Sequence, residues 1–90
     1  MQALFRESCQ YVEANSRPIH IDKIHMFPAT ATYYFQNKGR NAISTKLFYG
    51  HNCVFVQFID NRCGTLISDV TCLSIDDFKA AFDDFKSRNF

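Results

Sequence analysis

The spacing of apolar side chains changes period twice along the chain, from helical to alternating and back to helical. Over residues 2–15, Leu4, Phe5, Ser8, Cys9 and Val12 recur at the i, i+4, i+7 spacing of one helical face, with Tyr11 at its edge. Arg6, Glu7, Gln10 and Glu13 fall mostly elsewhere. Asn15-Ser16-Arg17-Pro18 stops this helix, because proline disfavours the helical region for the residue before it and has no N–H to donate.

Residues 19–27 are expected to be extended. Ile19 and Ile21 alternate with His20 and Asp22, but Ile24 and Met26 are out of phase, which implies a bulge or an early end. Pro28 restricts its surroundings to an edge or a bend. Further strands are predicted over 30–36, 45–49, 53–59 and 65–72. The 53–59 segment is apolar on both sides, Val54, Val56 and Phe58 against Cys53, Phe55 and Ile59, which suits the middle of a sheet. In 65–72, Leu66, Val70 and Cys72 alternate with Thr65, Asp69 and Thr71, and Ile67-Ser68 breaks the pattern. Turn chemistry separates these strands at 37–40, 50–52 and 60–64. Connections this short favour antiparallel neighbours.

The last helix carries the clearest signals. Ser74 is an N-cap, and Asp77 three residues on makes a weaker capping box than Glu would. Leu73 stands where a hydrophobic staple would pack on Phe78. Asp76 and Asp77 suit the positive end of the helix dipole, Lys86 and Arg88 the negative end. Phe78, Ala81, Phe82 and Phe85 form one apolar stripe that needs a sheet face to cover it. The expected fold class is therefore α+β: a four- to five-stranded antiparallel meander with an N-terminal and a C-terminal helix packed on it. Residues 1–90 are read as a single domain, since 90 residues, two Pro and three Gly leave no room for a linker.

Composition narrows the function classes. No stretch approaches the roughly 18 apolar residues of a membrane span. Arg6 and Glu7 interrupt the place where a signal peptide would be apolar, so a cytoplasmic location and no membrane partner are expected. In a reducing compartment Cys9, Cys53, Cys63 and Cys72 are expected to be free thiols. His20, His25, His51 and the cysteines form none of the paired spacings that zinc sites use, although His51 and Cys53 stand two apart at a strand start. Cys63, beside Arg62 and Gly64, is the most electropositive thiol context, but nothing in the sequence marks it as a nucleophile. Three glycines at 39, 50 and 64 make no phosphate loop. No cofactor and no catalytic activity are expected.

Charge is distributed unevenly. Residues 23–59 hold Lys23, Lys38, Arg40 and Lys46 and no acid, whereas 60–90 holds four basic residues against six Asp. This pattern offers two contact faces: a basic, aromatic middle made of Tyr33, Tyr34, Lys38, Arg40, Lys46 and Tyr49, and an acidic last helix able to mimic phosphates. The element order resembles that of the double-stranded-RNA-binding domain. That family sets lysines at the start of its last helix, where this chain has Ser74-Ile75-Asp76-Asp77, so the resemblance is rejected. The leading expectation is a small non-catalytic module, an inhibitor or adaptor that occupies a surface of a protein or ribonucleoprotein partner. Anti-CRISPR-like anti-defence proteins of phages and mobile elements are one instance. The alternative is a nucleic-acid-binding domain using 23–59. A homodimer completing the two-faced 53–59 strand is also compatible with the pattern.

Overall fold

Three phenylalanines on one helical stripe decide which face of the sheet is covered. The computed structural model describes residues 3–26, 29–37 and 40–89, with backbone only at 37 and 40–42. Helix α1 (Ala3–Asn15) is followed by strands β1 (His20–Ile24), β2 (Thr30–Asn37), β3 (Arg40–Gly50), β4 (Cys53–Asp60) and β5 (Thr65–Cys72), then helix α2 (Ile75–Asn89). The strands form one antiparallel sheet in the order β1-β2-β3-β4-β5, a pure meander. The α+β class and the two flanking helices are as the periodicity predicts.

Both helices lie on one face. Phe78, Phe82 and Phe85 of α2 and Cys9 and Val12 of α1 share a core with Tyr33, Phe35, Leu47, Val54, Val56, Phe58 and Cys72 of the strands. Phe85 stacks on Phe58 with ring centroids 4.2 Å apart, and Phe82 meets Phe35 at 6.3 Å. The helices are joined at their outer edges by Tyr11, whose hydroxyl donates to Asp83 at 2.7 Å while its ring meets Phe78 and Phe82 edge-on. Lys86 donates to the Asn15 carbonyl at 2.7 Å, placing a cation at the negative end of α1.

Local chemistry explains most boundaries. The Asp77 N–H donates to the Ser74 hydroxyl, so the predicted cap forms, but the Asp77 carboxylate accepts from the N–H of Leu73, one residue before the Ser74 N–H that a capping box uses. The expected staple does not form. Leu73 is 70% exposed, because Cys72 faces the core and strand alternation turns the next side chain away. β1 ends early at Ile24 rather than bulging. β3 begins five residues sooner than apolar spacing indicates, since β2 supplies its hydrogen-bond partners from Asn37 onward. The break at Ile67 is a bulge: Phe58 pairs with Ser68 and Ile59 with Leu66, leaving Ile67 unmatched. The bulge moves Leu66 to the face opposite Val70 and Cys72, which simple alternation does not foresee.

Two stability measurements check this packing. Phe82→Ala removes the ring shared by Phe35, Phe78 and Phe85, and denaturant unfolding should register a loss of about 3–5 kcal/mol. The buried Thr45 hydroxyl has no hydrogen-bond partner among the described residues. The isosteric Thr45→Val should therefore be neutral or stabilising by up to about 1 kcal/mol in the same assay.

Candidate functional site

In an antiparallel sheet, residues paired across strands point to the same face, so the register assigns every side chain. The face away from the helices carries three cross-strand rows. The first is His20, Tyr34, Ser44, Ile59 and Leu66; the second is Asp22, Thr32, Lys46, Gln57 and Asp69; the third is Ile24, Thr30, Phe48, Phe55 and Thr71. No described helix covers this face.

Its aromatic groups are held in place. Phe55 is 42% exposed, and its ring lies over Gly50, where a Cβ would approach to 2.7 Å of the ring and 2.6 Å of the Cys53 sulfur. Glycine at position 50 therefore leaves the room that this ring occupies. Lys46 sits 5.1 Å over the Phe48 ring in a cation–π contact. His20 and Tyr34 rings lie 5.5 Å apart. Ser44 donates to the Asn61 side-chain oxygen at 3.1 Å, tying the β4–β5 loop to the first row. Phe48, Phe55, Gln57 and Asp69, with Tyr49 at the sheet end, line a shallow depression on the surface.

The six sequence-predicted contact residues do not gather on one surface. Tyr34 and Lys46 lie on the open face, in neighbouring rows. Tyr33 is fully buried on the covered face, where its hydroxyl donates to Glu13 at 2.7 Å. Adjacent residues of a strand point oppositely, so Tyr33 and Tyr34 are never on one surface. Tyr49 is also on the helix side, half-buried and edge-on to Phe5. Lys38 lies outside the described residues, and Arg40 is described by its backbone alone, at the start of β3. Sequence reasoning missed Phe48 and Phe55 as surface groups. The signal was present, since Phe55 belongs to the second apolar side of β4, but apolar rings read as core until the helices are known to share one face.

The charge blocks separate too. Lys23, in the basic segment, is ion-paired to Glu13 at 2.6 Å on the helix side of β1. The described charged side chains of the open face are Lys46 against Asp22 and Asp69, besides His20, so the described part of the face is not basic. Three carboxylates of the acidic helix are engaged within the fold: Asp77 accepts from the Leu73 N–H, Asp83 from the Tyr11 hydroxyl of α1, and Asp84 is ion-paired to Arg88. Among the described residues no three His, Cys, Asp or Glu side chains converge as a metal site would need. The four cysteines are unbridged; Cys63 is exposed, with its sulfur 3.0 Å from the Thr65 hydroxyl. No described helix is long and apolar enough to cross a membrane.

No family model, curated protein or solved structure matches the chain.

The Lys23–Glu13–Tyr33 network has a pH signature. Burial pushes the Glu13 carboxyl up, but hydrogen bonds from Lys23 and Tyr33 outweigh it and hold the group below its ordinary value of 4.5. Its stabilisation is complete above that value and is lost as pH falls through the lower folded one. Glu13→Gln should therefore flatten the acid limb of the stability curve below pH 4.5. Denaturant midpoints measured from pH 7 to pH 3 check this; an unchanged acid limb contradicts it.

Proposed function

We propose that this protein is a non-catalytic binding module that acts as an inhibitor or adaptor, meeting a protein or ribonucleoprotein partner through its open sheet face. One observation carries the reading: a five-stranded sheet has all its described helices on one side and presents Phe55, Phe48 and Tyr34 on the other. One exposed and two half-buried rings rimmed by Thr, Gln and charged groups have the composition of an interface core with its polar surround. A phage-borne inhibitor of a host ribonucleoprotein belongs to this class.

The protein reading is favoured over direct nucleic-acid binding by the charges. Sequence-independent binding to a phosphate backbone needs several cations on one surface. On the open face Lys46 stands between Asp22 and Asp69, and Lys23 is committed to Glu13. The acidic helix serves poorly as a phosphate mimic, because three of its four carboxylates already have partners within the fold.

Affinity capture with point variants tests the reading. Phe55→Glu sets a charge among the rings of the face, and Ala80→Glu sets one on the exposed side of α2, across the sheet from it. A partner retained by the native chain and by Ala80→Glu, and lost with Phe55→Glu, is the expected result. Capture indifferent to Phe55→Glu contradicts it, and a low-salt electrophoretic shift with RNA or DNA would favour the alternative.

A further inference from the structure

We propose that, when no other partner is present, a second copy of this chain covers the open face, about a two-fold axis running along β4. This rests on the reading of that face as a contact surface, and it names one occupant and a means of regulation for it.

The charges decide where such an axis can lie. The middle row reads Asp22, Thr32, Lys46, Gln57, Asp69 across the five strands. Neither Lys46 nor Asp69 has an ion-pair partner among the described residues. When identical sheets stack about an axis parallel to their strands, the strand on the axis meets itself and its two neighbours exchange. An axis over β3 would set Lys46 against Lys46 and Asp22 against Asp69, an arrangement that like-charge repulsion opposes. An axis over β4 sets Lys46 against Asp69 of the second copy, and does so twice.

The uncharged positions agree with that choice. On β4 the self-facing residues are Phe55, Gln57 and Ile59. Ring meets ring, aliphatic meets aliphatic, and an amide that both donates and accepts meets its own kind. Phe48 then faces Thr71, and Ser44 faces Leu66. An axis over β2 would pair Asp22 with Lys46, but it sets Thr30 and Thr32 on themselves and leaves the exposed Phe55 ring outside the contact. Sheets stacked in this aligned way cross at about 30° with roughly 10 Å between them, which suits side chains of this size.

The area sets the strength. Three strands facing three, about 4.8 Å apart and about 27 Å long, give a footprint of about 400 Å² per copy. The total of about 800 Å² is below the roughly 1,200 Å² of stable specific interfaces, so the dimer is reversible and concentration-dependent. At concentrations where it forms, such a contact hides Phe55 and yields it to a partner that binds more tightly.

Sedimentation equilibrium of the native chain from about 10 μM to about 1 mM, with charge-reversed variants, is the test. The native chain should move from monomer to dimer over this range, and added salt should weaken association. Lys46→Asp and Asp69→Lys should each weaken it at least about tenfold, the double swap should restore it, and Asp22→Lys should leave it unchanged. Should Lys46→Asp fail to fold by circular dichroism, Asp69→Lys on the exposed edge strand and the salt series read the same contact. A monomer throughout, or a dimer insensitive to Asp69→Lys, overturns the proposal. So does a double swap that folds and does not restore the dimer. If the chain is monomeric yet Phe55→Glu still abolishes capture of another protein, the self-contact fails and the partner reading stands.

Discussion

The packing of both helices onto one side of the sheet is the constraint on which everything else rests. α2 offers a stripe of three phenylalanines, and the covered face answers with Phe35 and Phe58. α1 fills the remaining width with Cys9 and Val12, and Tyr11 and Lys86 tie the two helices together. With both helices used on one side, the chain's described helical cover is exhausted. A five-stranded sheet is thus left with one face to the solvent. The proposed recognition rests on that face, whose composition differs from a merely solvated one in carrying Phe48 and Phe55.

The same packing redistributes charge. Read linearly, the chain has a basic middle and an acidic end. Folded, the strand period sends neighbouring residues to opposite faces, and the helix period lets the acids find partners. Lys23 goes to Glu13, Asp83 to Tyr11 and Asp84 to Arg88. The open face keeps a sparse pattern, with Lys46 flanked by two aspartates in one row. Such a pattern adds little affinity of its own and much orientation, since opposite charges at fixed spacing admit few registers.

Much of the fold is legible in the residues alone. The Ser74 cap and the phenylalanine stripe place α2, and Pro18 ends the first helical pattern. The anomaly at Ile67 marks a bulge, although not its consequence for Leu66. The start of β3 is not legible, because 40–44 is polar apart from Ala42 and Ile43 and owes its strand conformation to β2 beside it. The contact residues read less well than the fold. Tyr33 and Tyr34 are equivalent as letters, and strand alternation separates them only once the covered face is known. Phe55 looks like core because nothing in one sequence says that two helices will share a side.

Cross-saturation from a captured partner to the isotope-labelled protein tests the central claim most directly, because it reports which side chains lie against the partner without altering any of them. Saturation should reach Tyr34, Lys46, Phe48, Phe55 and Gln57 and leave α1 and α2 untouched. Saturation confined to the outer surfaces of α1 and α2, with the open face unaffected, would contradict the account.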